Sequence, residues 1–347
     1  MDFLKNSNLG WLHDSTHLLV RSGSFAYGTN VPGSDEDFKG VAIPPRRYIL
    51  GVRDRFEQAE FKSPDAVVYD LRKFCRLAAE CNPNIIEMLY SDPGDIIRLS
   101  GAGLLLRASR DIFLSSKARH TFCGYARAQL KRLRGHYAHL TAGPPPCPRR
   151  EDFGLPAEST LSMEERSEFM TAIDKKLAEW SLDLEGLDPA AAIAIRSNLA
   201  EQWAAIDKWD AAAKTIGITG ATLETLRAER SYRSAERAFK QYNDWLKNRN
   251  AARFQLEEKY GYDTKHAMHL VRLLRMAEEI LRDGKVIVKR PDAEELVGIR
   301  RGEWSYEKLI SYADETEARV VSLYNTTNLR RSPDWDKIDD LCIQLLS

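Results

Sequence analysis

"VRSGSFAYGTNVPGSDEDFKGVAIPP", residues 20–45, sets three carboxylates, Asp35, Glu36 and Asp37, behind a glycine-containing loop and a Gly-Ser pair. The apolar run "HLLVRS", residues 17–22, predicts a short buried strand that ends at Gly23. A second strand is expected over Asp35–Ile43, closed by Pro44 and Pro45, which cannot continue a hydrogen-bond ladder. Alternate side chains of a strand share a face, so Asp35 and Asp37 are expected to point together, and Glu36 and Phe38 oppositely. Two carboxylates held side by side repel unless a cation lies between them, and hard oxygen ligands of this kind suit Mg²⁺. Gly23 and Ser24 offer backbone N–H groups and a hydroxyl on a tight turn, which suits an anion such as phosphate. A phosphate grip beside paired carboxylates is what phosphoryl or nucleotidyl transfer requires, with two metals about 3.5–4 Å apart. A third carboxylate is needed, and Asp65 and Asp70 of "DAVVYD", residues 65–70, are the candidates. Asp65 is preferred, because Asp70 stands where the following helix needs its N-cap.

Composition excludes several classes. The 51 basic and 51 acidic side chains cancel, so no whole-protein field advertises a nucleic-acid partner, and local runs carry the information. Five cysteines (Cys75, Cys81, Cys123, Cys147, Cys342) contain no C-x-x-C pair, which argues against a disulfide framework and for a reducing, cytoplasmic setting. The N-terminus lacks a signal-peptide pattern and no apolar run approaches membrane-spanning length, so no membrane is expected.

Beyond the expected strands, "LRKFCRLAAE" and "NPNIIEMLY" read as two helices, the second restarting after Pro83. Residues 112–140 carry helical periodicity. "TAGPPPCPRREDFGLP", 141–156, holds five prolines and two glycines and reads as a connector. Long helices are expected over 160–260, and "KHAMHLVRLLRMAEEILRDG", 265–284, reads as an amphipathic helix stopped by Gly284. The tryptophans, Trp180, Trp203, Trp209 and Trp245 among seven, read as core residues.

"GSFAYGTNVPGSDEDFKG" resembles the signature of the DNA polymerase β-like nucleotidyltransferase superfamily: Gly-Ser, about ten residues, then Asp-x-Asp. Together with "DLRKF", "NPNIIEML" and "KHAMHLVRLL" it looks like the nucleotidyltransferase group that includes RNA-repair-ligase-associated polymerases and their bacterial and phage relatives. The resemblance is close over 20–90, looser over 112–155 and 260–340, and poor over 160–255. It implies an α+β fold, a small mixed-sheet palm of five strands with large, mostly helical additions. It also implies a nucleoside triphosphate substrate such as ATP and two Mg²⁺ ions, for which Mn²⁺ can substitute. Carried over, Asp35, Asp37 and Asp65 are the metal ligands and catalytic residues, and Gly23, Ser24 and Ser34 contact the nucleotide. In such relatives a helical domain over the palm turns Lys, His and Arg side chains to the triphosphate, which nominates Lys265, His269 and Arg272. The domains expected are a palm at 1–95, basic helices and connector at 96–156, a helical insertion at 157–255, and at 256–347 a C-terminal helical domain packed over the nucleotide site.

Between Asp111 and Glu151 the chain has no acidic residue and eight basic ones, including Arg132, Arg134, Arg149 and Arg150. A second run, 227–253, has eight Lys or Arg against three acids, with Arg230, Arg233, Arg237 and Lys240 at helical spacing. Beside this stripe, Tyr232, Ala235, Phe239, Tyr242 and Leu246 form another, read as core. Solvated helix faces would look the same; next to a phosphate-transfer site, both runs point to an RNA backbone. His266 and His269 lack a third ligand nearby in sequence, so no zinc is expected. The sequence assigns no oligomeric state. The expected activity is Mg²⁺-dependent transfer of a nucleotide from an NTP to a hydroxyl, first of all an RNA end, as in RNA repair. The alternatives are modification of a protein side chain, or a non-catalytic nucleotide- or RNA-binding or antitoxin-like module.

Overall fold

The computed structural model describes residues 2–158, 162–179, 208–218, 220–247, 257 and 259–347. Its sheet has five strands: β1 (Thr16–Ser22), β2 (Asp37–Ala42), β3 (Gln58–Lys62), β4 (Asp65–Asp70) and β5 (Ile96–Leu99), in the order β3-β4-β2-β1-β5. The pair β2·β4 is parallel and the other neighbours are antiparallel, so the sheet is mixed. The molecule is therefore α+β, a small sheet with large helical additions. β2 begins at Asp37, two residues later than its expected start, so Asp35 and Glu36 lie in the preceding loop and strand alternation does not govern Asp35. Neither β3 nor β5 was singled out in the sequence. Both are short, half-exposed edge strands, and β5 lies just past residue 95.

Both faces of the sheet are covered, which explains why β1 and β4 read as nearly continuous apolar runs. Leu18, Val20 and Val41 enter the larger core on one face. Leu19, Ala42 and Val68 enter a smaller core on the other. The smaller core is closed by two short helices, α1 (Asp2–Lys5) and α2 (Leu12–Ser15), and by aromatic pairs. Phe3 meets Phe61 at 5.1 Å and Trp11 meets Phe56 at 4.9 Å between ring centroids.

The remaining helices of the first 141 residues are α3 (Gly23–Tyr27), α4 (Arg46–Leu50), α5 (Leu71–Ala79), α6 (Pro83–Leu89), α7 (Gly101–Ala108) and α8 (Ala118–Ala142). Asp70 caps α5, its carboxylate accepting the Lys73 N–H. Asn82 caps α6, and Pro83 fills its first turn, where a missing N–H costs nothing. Three further helices are α9 (Met163–Glu179), α10 (Lys208–Thr215) and α11 (Ala221–Lys247). The C-terminal ones are α12 (Thr264–Asp283), α13 (Ala293–Arg300), α14 (Tyr306–Thr326) and α15 (Trp335–Leu346). α12 starts on the Asp263 cap and stops at Gly284, which takes the left-handed conformation at φ +65°. Its apolar stripe, Leu270, Val271, Leu274 and Ala277, joins Phe74, Ile86 and Phe122 in the larger core.

The chain divides into two compact units, residues 1–141 with 250–347, and residues 142–249. In the second unit Trp209, Ile173, Ala212, Leu223 and Leu226 form a small core. Buried Glu229 accepts from both Arg150 and Arg166 there. Beyond Glu229 the expected apolar stripe of α11 is only half-buried at Tyr232, Phe239 and Tyr242, and Leu246 is exposed. Trp180, Trp203, Arg249 and Arg253 lie outside the described residues. Among the described residues no helix is long and apolar enough to cross a membrane.

Candidate active site

The sheet brings the nominated residues to one end of three adjacent strands. Ser22 of β1 is the register partner of Asp37 in β2, and Asp37 is the register partner of Asp65 in β4. Partners in register share a face, so Asp37 and Asp65 stand side by side just below the Gly23 turn. Gly23 sits at φ +65°, which favours glycine, and a Cβ there would push the Asp37 carboxylate aside. From Gly23 the chain enters the single turn of α3, whose opening N–H groups have no intrahelical partner. This turn is clamped from outside: Lys289 Nζ reaches Phe25 O at 3.2 Å, and Arg290 N–H donates to Tyr27 O at 3.1 Å. Ser34 is engaged locally. Its hydroxyl accepts the Val31 N–H at 2.9 Å and closes the loop that delivers Asp35 and Asp37.

Burial and the neighbouring Asp65 charge raise the Asp37 pKa. Lys39 and Lys265 pull it back down, and Asp35 adds a further push upward. Asp35 and Asp65 are solvent-exposed and Asp37 half-buried, so the cluster faces outward. A carboxylate whose charge is disfavoured by two neighbouring carboxylates fits a site for hard divalent cations. Asp70 lies at the far end of β4, opposite Ala42, where it caps α5 and pairs with Arg72 at 3.1 Å. It is remote from the cluster.

Lys39 was missed in the sequence, though its position was legible: it lies two residues after Asp37 on the same strand face. Its ammonium donates to Asn84 O and Oδ1 at 3.2 and 3.1 Å. Burial lowers its pKa, while Glu87, Asp37 and Asp65 favour its charge. Behind it, Arg272 Nη1 donates to Glu87 Oε1 at 2.9 Å, and Tyr27 Oη donates to Glu87 Oε2 at 2.6 Å. The Arg272 guanidinium lies 3.8 Å from the Tyr27 ring centroid. Arg272 and Glu87 are each 6% exposed, so Arg272 is a buried counter-ion rather than a side chain presented to a cleft. His269, one turn earlier on α12, is held well below the usual histidine pKa by burial and by Arg272, Lys265, His266 and Arg300. A groove of about 710 Å³ opens on the opposite face of the sheet, between Phe3, Leu19, Arg21, Phe38 and Phe61. It is not where the carboxylates lie.

The acid-free run is partly neutralised by acids from other segments. Lys117 pairs with Glu80 at 2.7 Å, Arg127 with Glu317 at 3.2 Å, and Arg134 with Asp314 at 4.0 Å. Arg132 and Arg149 are exposed. Arg150 is built into the second unit: it donates to Glu229 and to Pro156 O and stacks against Tyr232. On α11, Arg233, Arg237 and Lys240 are exposed along one stripe.

An uncharacterized 38.9 kDa protein of Enterobacteria phage T4, from the nrdC-mobD intergenic region, is 29% identical over 119 residues. The match takes in 31% of this chain and 35% of that protein, so the chain spans about a third of the length of this relative. No solved structure matches. Residues 12–140, which carry all five strands and the whole carboxylate cluster, match the model of the RNA repair pathway DNA polymerase beta family (RlaP), a family of nucleotidyltransferases.

Proposed function

We propose that this protein transfers a nucleotide from a nucleoside triphosphate to a hydroxyl acceptor, an RNA end before others. The observation that carries the reading is the register Ser22–Asp37–Asp65 beneath a turn whose left-handed Gly23 strongly favours glycine. In this reading Asp35, Asp37 and Asp65 hold two Mg²⁺ ions, or Mn²⁺ in their place. Bound there, the ions supply Lewis-acid activation of the acceptor hydroxyl and charge neutralisation at the leaving pyrophosphate. Ser24 and the opening N–H groups of α3 bind triphosphate oxygens, the donors being fixed before substrate arrives. Lys265, whose charge is felt at Asp37, and Lys39 balance the phosphates and carboxylates. His269, kept neutral, can accept or donate a hydrogen bond without adding charge.

RNA is the favoured acceptor because of the matched family and the exposed stripe Arg233, Arg237 and Lys240, with Arg132 and Arg149 as further candidates. Incubation of the pure protein with each labelled NTP, Mg²⁺ and cellular RNA tests the reading. Label on RNA is expected. Label on protein replaces RNA by a polypeptide acceptor, and label nowhere favours a non-catalytic binding or antitoxin-like module.

A further inference from the structure

Three side chains from two distant stretches of sequence meet beside the first turn of α12. His136 of α8, Glu257 and Asp263 each offer one ligand-type atom, and these atoms all lie within 4.8 Å of one another. Glu257 and Asp263 are 3% and 2% exposed. Two carboxylates so close and so buried repel strongly unless positive charge lies with them. His136 Nδ1 is 3.3 Å from Glu257 Oε1, and His266 Nε2 is 3.5 Å from Asp263 Oδ2. Ligand atoms about 2.0–2.1 Å from a tetrahedral zinc lie roughly 3.3–3.5 Å apart, so the His136–Glu257 spacing suits a shared ion. His266 stands next to the cluster. Its Nδ1 donates to Gln129 Oε1 at 2.7 Å, which holds the ring beside Asp263. Asp263 gives Oδ1 to the His266 N–H as helix cap and keeps Oδ2 on the cluster side.

We propose that His136, Glu257 and Asp263 bind a zinc-class divalent ion that ties α8 to the start of α12. One imidazole beside two carboxylates suits zinc better than the all-oxygen carboxylate cluster on the sheet does. The ion would fix the helix that carries Lys265 and His269. This site is independent of the nucleotidyltransferase reading. Sequence spacing concealed it, because His136 precedes Glu257 by 121 residues.

The test uses the full chain carrying Asp35→Asn and Asp37→Asn, which removes the sheet cluster as a competing site. Metal analysis after dialysis is expected to find zinc bound, and Co²⁺ titration to give the intense visible absorption of a tetrahedral site. His136→Ala and Glu257→Gln, introduced separately, are expected to weaken Co²⁺ binding about tenfold or more. Zinc should raise the thermal midpoint of the parent and not that of His136→Ala. Should a variant fail to fold, the parent titration alone decides. No retained zinc with a flat cobalt spectrum overturns the proposal, as does equal affinity in parent and folded His136→Ala. Either result would make the cluster a hydrogen-bonded helix cap.

Discussion

At the scale of single residues, Asp65 and Asp70 bound the same strand and are predicted to behave oppositely. Asp65→Asn should abolish transfer while leaving the unfolding midpoint nearly unchanged, since Asp65 is exposed at the strand end. Asp70→Asn should keep transfer and cost under about 1 kcal/mol, because asparagine also caps helices and the Arg72 partner is well solvated. Activity assays and denaturation of the two variants check the pair, and the reverse ranking would show cap and ligand to be exchanged. The Asp70 cap was legible in the sequence because a helix signal follows it directly. Asp35 was less legible. Alternation assumed a strand through it, whereas the Ser34 hydroxyl closes a turn there and the ladder begins at Asp37. Gly23→Ala is expected to lower both stability and activity, by about 1–3 kcal/mol in stability, through left-handed strain and displacement of Asp37.

At the scale of elements, α12 joins the sheet through charge as well as through apolar packing. Removing Arg272 leaves Glu87 buried without its counter-ion, so Arg272→Met should destabilise by about 3–5 kcal/mol in urea titration. Adding Glu87→Leu should recover part of that loss, because the desolvated charge then disappears. Full stability in Arg272→Met would mean that the guanidinium is free for a ligand after all. His269 gives the same helix a pH dependence. Its folded pKa lies well below 6.5, so the unfolded chain binds the extra proton. Stability should be full above about pH 6.5 and fall as pH drops below it, towards the folded value. Urea midpoints across that window should fall less steeply in His269→Gln; identical slopes would mean that other groups set the dependence. These partnerships were hidden in the sequence because Glu87, Tyr27 and Arg272 lie on α6, α3 and α12, and periodicity reports a face without naming its partner. The strong local signals, "DAVVYD" before a capped helix and Gly284 after an amphipathic one, were legible because cap, strand and stop each have a short-range cause.

At the scale of the whole molecule, charge neutrality conceals an uneven surface. Each phosphate contact releases condensed counterions, so an RNA acceptor bound along the exposed stripe of α11 should dissociate steeply as salt rises. Arg233→Gln with Arg237→Gln should weaken RNA binding and flatten that slope, whereas Arg150 substitutions should instead loosen the second unit, where Glu229 holds its guanidinium. Labelled-RNA titrations at several salt concentrations separate these outcomes, and salt-independent curves identical to wild type would remove this stripe from the acceptor site. The central claim rests elsewhere, on the carboxylates beneath the Gly23 turn. Its most direct test is transfer of label from an NTP in the presence of Mg²⁺ by wild type and by the Asp35→Asn, Asp37→Asn double variant. Both should be folded by circular dichroism. Wild type should transfer and the double variant should show no transfer above background; undiminished transfer by the folded double variant would contradict the account.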